Sequence, residues 1–264
     1  MRNLITRSIS GLVYAIIFIS AILFSKESYI GLMAIFAAIC VFEFSKMLKT
    51  KNIIPYIILA GIIFLSIIKI PNSVTNNLIG FSLTGLTILL YLLISTKPIK
   101  TESIGQKIFL QVIYLILPFY FLIKLPFLDH SYHPNLIIYI ILIIWTNDSF
   151  AFIVGKNFGK HKLFESVSPK KTIEGFIGGL VFAIIAGFLI GKYSSHFSIL
   201  NWIIIAVIVS ILGSLGDLVE SKFKRQANVK DSGTIMPGHG GLLDRLDSLF
   251  FLAPFVYLYI QFII

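Results

Sequence analysis

Cysteine is almost missing: Cys40 is the single one in 264 residues. An internal disulfide and a thiolate metal cluster are excluded, and Cys40, inside an apolar run, reads as a small buried residue. Charge is scarce as well. Asp, Glu, Lys and Arg make up 13% of the chain, about half the roughly 25% of a soluble domain. Acids are the scarcer sign, 12 against 22 basic residues, for a net charge of +10. No Gly-x-x-x-x-Gly-Lys-Ser/Thr loop is present, which excludes a P-loop nucleotide site. There is no internal repeat, long linker or low-complexity tract, so the paired repeats of many transporters are missing. The five histidines show no zinc-ligand spacing. His130 and His133, beside Pro134, read as a solvated loop.

What is there is apolar. Hydrophobic residues account for 57% of the chain, in runs near the ~20 residues that a membrane helix needs. The runs fall at 8–24, 28–45, 53–70, 78–95, 108–128, 135–154, 173–191, 199–219 and 246–264. The expectation is an all-α, polytopic integral membrane protein with about nine transmembrane helices. It forms one membrane-embedded domain over 1–264, with its catalytic part mainly in 145–250. The first run follows Arg2 and Arg7 but precedes no small-residue cleavage site, so it reads as a retained helix. Pro118 is expected to kink the fifth span.

The basic residues cluster by loop. Of the 22, all but Lys26, Lys69, Lys124 and Lys192 lie in the N-terminus or the even-numbered loops. The positive-inside rule puts those segments and the N-terminus in the cytoplasm and the C-terminus outside, for a bacterial inner (plasma) membrane protein. Basic charge held in short loops between spans suits anionic lipid and a phosphorylated substrate rather than nucleic acid. Before residue 140 the sequence suggests no chemistry. Glu43, near the end of the second span, reads as an interfacial partner for a nearby lysine.

From the sixth span onward the chain changes character. Asp148, in Trp145-Thr146-Asn147-Asp148-Ser149, is a carboxylate inside an apolar helix. It must face a cavity, a cation or a partner. The next loop carries Lys156, Lys160, Lys162, Lys170 and Lys171. Taken singly, such lysines are topology markers. Ser168 followed by Pro169 suggests a helix N-cap, with Lys170, Lys171 and Thr172 in an anion-favouring first turn.

The densest polar stretch runs from Ser214 to Ser248, between two apolar runs. Ser214, Asp217, Glu220 and Ser221 share one helix face by their spacing of three and four. Asp244, Asp247 and Ser248 repeat the pattern where the last run begins, and Gly238-His239-Gly240-Gly241 lies between. Carboxylates hold hard cations through oxygen, Lys and Arg meet phosphate, and glycines let backbone N–H groups approach an anion. The bland alternative is two helix ends with interfacial charges.

Ser221-x-Phe223-Lys224-Arg225, Lys230-Asp231-x-Gly233 and Pro237-x-His239-Gly240-Gly241-Leu242-x-Asp244-Arg245-Leu246-Asp247 closely resemble the C-terminal motif of phosphatidate cytidylyltransferases (CDP-diacylglycerol synthases). Met236 stands where Leu, Ile or Phe is usual, a conservative change. Asn147-Asp148-Ser149 through Ser168-Pro169-Lys170-Lys171-Thr172-x-Glu174-Gly175 resembles the block that precedes that motif in the family, with Ser149-Phe150-Ala151-Phe152 a looser fit.

The resemblance implies transfer of CMP from CTP to phosphatidate, giving CDP-diacylglycerol and pyrophosphate, with Mg2+ as cofactor and a second cation left open. It casts Asp217, Asp244, Lys224, Arg225 and Asp247 as catalytic. Asp217 and Asp244 are the expected metal ligands, supported by Asp148 and Glu220. Lys230, Arg245, His239, Gly240, Gly241, Ser168, Lys170, Lys171 and Lys156 are the expected substrate-binding residues. His239 is open between orienting a phosphate or loop and acting as a base. CTP, phosphatidate and the bilayer are the partners, and a homodimer is left open. A CTP-dependent polyprenol or phytol kinase would share the metal and nucleotide but release CDP. A transporter of phosphorylated solutes would place its charges at mid-membrane.

Overall fold

A computed structural model describes residues 2–95, 97–128 and 131–264, with the side chains of 2–8 and of Leu128 left aside. The expectation for His130, and those resting on the Arg2 and Arg7 side chains, lie outside the described residues. Helix dominates, as the apolar runs require. The helices α1 (Arg2–Phe24), α2 (Lys26–Met47), α3 (Ile54–Ile67) and α4 (Asn72–Ile94) lead into α5 (Ile104–Gln111). A π turn over Val112–Ile116 joins α5 to α6 (Leu117–Lys124). Then come the strands β1 (Phe127–Leu128) and β2 (Ser131–Tyr132), α7 (Pro134–Phe158), β3 (Lys162–Phe164), β4 (Ser168–Thr172), α8 (Ile173–Tyr193), α9 (Ile199–Gln226) and α10 (Leu243–Phe262).

Among the described residues six stretches, Ile104–Lys124 and Ile199–Gln226 among them, are long and apolar enough to cross a membrane. The protein is an all-α integral membrane protein. At 14 residues α3 is short of a full span. The α5–α6 rod is the hub: 72% of its apolar window is buried, against 22% in α8. Pro118 sits in the first turn of α6. Its ring has no N–H and collides with the carbonyl four residues back. The chain answers by widening the turn just before it, where the Leu117 N–H bonds to the Val112 carbonyl.

Two kinds of contact set the packing. On α8, a methyl group at Gly179 would meet the Asn147 carbonyl at 2.8 Å, and one at Gly187 would meet the Trp202 carbonyl at 2.7 Å. These glycines let α8 lie directly against α7 and α9. Deeper in, Phe223 of α9 stands 4.9 Å from Phe44 of α2 and 5.0 Å from Tyr114 of the rod, and Tyr114 stands 5.3 Å from Phe250 of α10. This aromatic knot fixes four elements just beneath the polar segment.

One local expectation is corrected. Ser168 does not cap a helix. Ser168–Thr172 is a strand paired antiparallel with Lys162–Phe164, in register Lys162 to Thr172 and Phe164 to Ser168. Pro169 is at home near the start of a two-stranded edge. The N-cap of α8 is Thr172, whose hydroxyl accepts from the Gly175 N–H at 3.1 Å.

Candidate active site

The α9–α10 crossing builds the acidic centre. Ser248 Oγ of α10 donates to the Gly213 carbonyl at 3.0 Å. A methyl group at Gly216 would stand 2.7 Å from Phe251 Cβ and 3.1 Å from the Asp247 carbonyl. Glycine there permits the close approach that slides Asp247 alongside α9. Asp217, Glu220 and Asp247 each then offer a carboxylate oxygen within 4.8 Å of the others. Glu220 is fully buried, and its Oε1 has no hydrogen-bond partner among the described residues. Three converging acids repel one another unless a cation sits between them. An all-oxygen set with an orphaned buried oxygen fits a hard divalent ion.

Cations brace this centre from two sides. Lys171, at the end of β4, meets Asp217 Oδ2 at 2.6 Å and the Ser214 carbonyl at 3.4 Å. Ser221 Oγ donates to Asp217 Oδ1 at 3.2 Å, one turn along α9. Lys224, whose side chain is only 11% exposed, bridges Glu220 Oε2 and Asp244 Oδ1, both at 2.6 Å. The other oxygen of Asp244 accepts from the Ser232 N–H at 2.9 Å, the Ser232 hydroxyl at 2.8 Å and the Gly241 N–H at 2.8 Å. Asp244 therefore stands beside the acidic trio, not within it, and ties the Asp231–Gly241 loop to α10.

That loop is closed by glycine geometry. Gly240 has φ +89°, and a Cβ there would sit 2.8 Å from Asp244 Oδ2. The Met236 N–H donates to the Gly240 carbonyl at 3.0 Å. His239 faces α1, with Nδ1 at 2.8 Å from Ser10 Oγ, and the Ser10 hydroxyl lies 2.9 Å from the Pro237 carbonyl. Arg245 donates to the His239 carbonyl at 3.1 Å.

Sequence reasoning misplaced Glu43. It pairs with no lysine among the described residues. It is 1% exposed and accepts from the Leu243 N–H at 2.8 Å and the Leu242 N–H at 3.2 Å, with Ser232 Oγ 3.3 Å away. It serves the first turn of α10, whose N–H groups lack partners within the helix. A signal existed: a carboxylate in an apolar span, the same feature that marked Asp148.

A cavity of ≈ 770 Å³ opens over the centre. Asp217, Glu220, Asp244, Asp247 and Asp148 line it, together with Lys156, Lys170, Lys171, Lys224, Arg245 and His239. Tyr14 and Phe18 of α1 and Ile141, Ile144 and Trp145 of α7 form its apolar wall. Asp148 accepts from Asn147 Nδ2 at 3.1 Å, while Asn147 Oδ1 accepts from Ser210 Oγ at 2.6 Å, which joins α7 to α9. The β3–β4 hairpin is stiffened by Glu174, which accepts from the Lys160 N–H at 3.0 Å and meets His161 Nδ1 at 2.6 Å. It thus presents Lys170 and Lys171 on a rigid edge.

Five expected site residues do not line the cavity. Arg225 Nε donates to the Val167 carbonyl at 3.3 Å and so holds the hairpin turn. Lys230 is exposed. Ser168 pairs across the hairpin. Gly240 shapes the loop, and the N–H of Gly241 is taken by Asp244.

Comparison with known proteins finds relatives along nearly the whole chain. Two full-length relatives are both named phosphatidate cytidylyltransferase. The one from Bacillus subtilis (strain 168) is 34% identical over 266 residues, covering 97% of each chain. The one from Staphylococcus saprophyticus is 34% identical over 257 residues, covering 94% of this chain and 95% of its own. The protein of the same name from Staphylococcus aureus (strain COL) is 53% identical over 120 residues, 45% of this chain and 46% of its own. The sequence profile of the Cytidylyltransferase family matches residues 5–263, and the chain belongs to that family.

Proposed function

We propose that this chain transfers CMP from CTP to phosphatidate, forming CDP-diacylglycerol and releasing pyrophosphate. The observation that carries the reading is one cavity with two characters. An acidic trio and five basic side chains occupy one part, and apolar α1 and α7 side chains the other. A soluble phosphorylated substrate has no need of the apolar wall. A lipid with a phosphate head needs both.

A lipid phosphate oxygen attacks the α-phosphorus of CTP. The new P–O bond forms as the bond to the bridging oxygen of the pyrophosphate breaks. The nucleophile is already an anion, so no strong base is required. The task is to bring polyanions together and stabilise the charge on the leaving group. Magnesium held by Asp217, Glu220 and Asp247 would supply that neutralisation as a Lewis acid. Lys156, Lys170, Lys171 and Arg245 bind phosphate oxygens, and Lys224 holds Glu220 and Asp244 in place. Asp148 flanks the cavity near Lys171, and His239 orients the loop. The whole chain works as one domain and supplies every residue named, so a homodimer would hold two such sites. The basic face lies in the cytoplasm of a bacterial plasma membrane, with the N-terminus on that side and the C-terminus outside.

The test uses purified protein with magnesium, phosphatidate and CTP labelled at the cytosine and at the γ-phosphate. Cytosine label in lipid with pyrophosphate released is expected. Label from the γ-phosphate on an added lipid alcohol would instead make the protein a kinase, and no transfer of either label by folded protein would end the assignment.

A further inference from the structure

A second cavity, of ≈ 1260 Å³, lies at the other end of the bundle. Its walls include the first turn of α2, the α3–α4 connection and the last turns of α6 and α10. Glu27 at its rim and Glu43 under the metal-binding end are both on α2, about 24 Å apart at ~1.5 Å per residue. The two cavities therefore sit toward opposite faces of the membrane.

Its origin is the short helix. With 14 residues, α3 runs about 21 Å, against a hydrocarbon core of ~30 Å. The chain then turns at Ile68 to Pro71 and starts α4 at Asn72. A notch is left between α2, α6 and α10.

Three of the four basic residues outside the basic-rich loops line this notch: Lys26 from α2, Lys69 from the connection and Lys124 from α6. Lys26 meets Glu27 at 3.7 Å. Lys69 and Lys124 have no carboxylate within ion-pair distance among the described residues. Lys124 is half-buried and Lys69 is exposed at the rim, and ammonium groups beside an apolar surface call for an anion. Asn72 and Asn76 add hydrogen-bond donors, and Ile30, Ile63 and Ile67 form an apolar flank. Cations at a rim above an apolar wall match a phosphate ester carrying acyl chains.

We infer that this notch is a binding site for an anionic glycerophospholipid of the leaflet opposite the catalytic cavity. It is separate from the substrate site and independent of the reaction proposed there. Phosphatidylglycerol is the probe, in mixed micelles with phosphatidylcholine, with lipid retention read by native mass spectrometry. Wild-type protein should retain phosphatidylglycerol preferentially. The preference should fall about fivefold per lysine removed, and the K26Q/K69Q/K124Q protein should lose it. Its melting temperature and cytidylyl transfer should stay unchanged. D217N should keep the preference, which separates this site from the catalytic one. Equal retention by wild-type and triple-variant protein would overturn the inference. So would displacement of the lipid by an equal concentration of glycerol phosphate, which would make the ligand a free phosphate ester. If the triple variant does not fold, K69Q alone carries the test, with the same fivefold loss expected and unchanged retention counting against the site.

Discussion

Glu43 and Leu243 are 200 positions apart, yet Glu43 Oε2 lies 2.8 Å from the Leu243 nitrogen. The second helix thereby holds the start of the last. Glu43→Ala would leave the N–H groups of Leu242 and Leu243 buried without partners, at a cost of about 1–3 kcal/mol each. Turnover should fall at least about tenfold, with a lower melting temperature. Glu43→Gln keeps an acceptor oxygen and should recover part of both. Equal behaviour of the two variants would remove the brace.

The acidic trio predicts a distinct metal response. Asp217→Asn or Asp247→Asn should abolish turnover in folded protein. Glu220→Gln should raise the magnesium concentration for half-maximal rate about tenfold or more. A chelator should silence the wild type, with magnesium restoring it. An unchanged magnesium titration for the Glu220 variant would take that oxygen out of the site.

Lys224 lies between two acids, so its removal should cost more than its share of contacts. Lys224→Met leaves Glu220 and Asp244 uncompensated, a loss of about 3–5 kcal/mol for a broken buried pair. Combining it with Asp244→Asn should recover part of that stability. Simple additivity in chemical denaturation would mean the two groups are not coupled.

Among the basic residues, position separates roles. Lys170→Gln and Lys171→Gln should raise the KM for CTP or phosphatidate. Arg225→Gln should act through the hairpin it holds, and exposed Lys230→Gln should change KM less than twofold. A KM defect largest at Lys230 would reverse this assignment.

The hairpin offers a check on local structure. Thr172→Ala removes the α8 cap and should cost about 1 kcal/mol. Ser168→Ala, in a strand, should be near neutral by thermal melting.

Much of this was legible beforehand. The apolar runs mark the helices because a bilayer imposes length and polarity together. The polar face of α9 follows from spacing, and the motif names the family. Tertiary approach was harder to read. Whether Asp217 meets Asp244 or Asp247 depends on where two helices cross, and that crossing is set by the close approach at Gly216 and the Ser248 hydrogen bond to the Gly213 carbonyl. Glu43 stood out as a carboxylate in an apolar span, but its main partners are backbone N–H groups 199 and 200 positions away, which no local pattern identifies. Ser168-Pro169 fits a helix start locally, but the pairing with Lys162–Phe164 overrides it.

The crossing at Gly216 also makes the centre a caliper. One jaw, Asp247, rides on α10, and the other, Asp217 with Glu220, rides on α9. The gap between them is set by how closely Gly216 lies against Phe251 and the Asp247 carbonyl. A single added methyl group at position 216 would spread the jaws while leaving every carboxylate present, so the spacing of the three acids is written in a residue that carries no carboxylate.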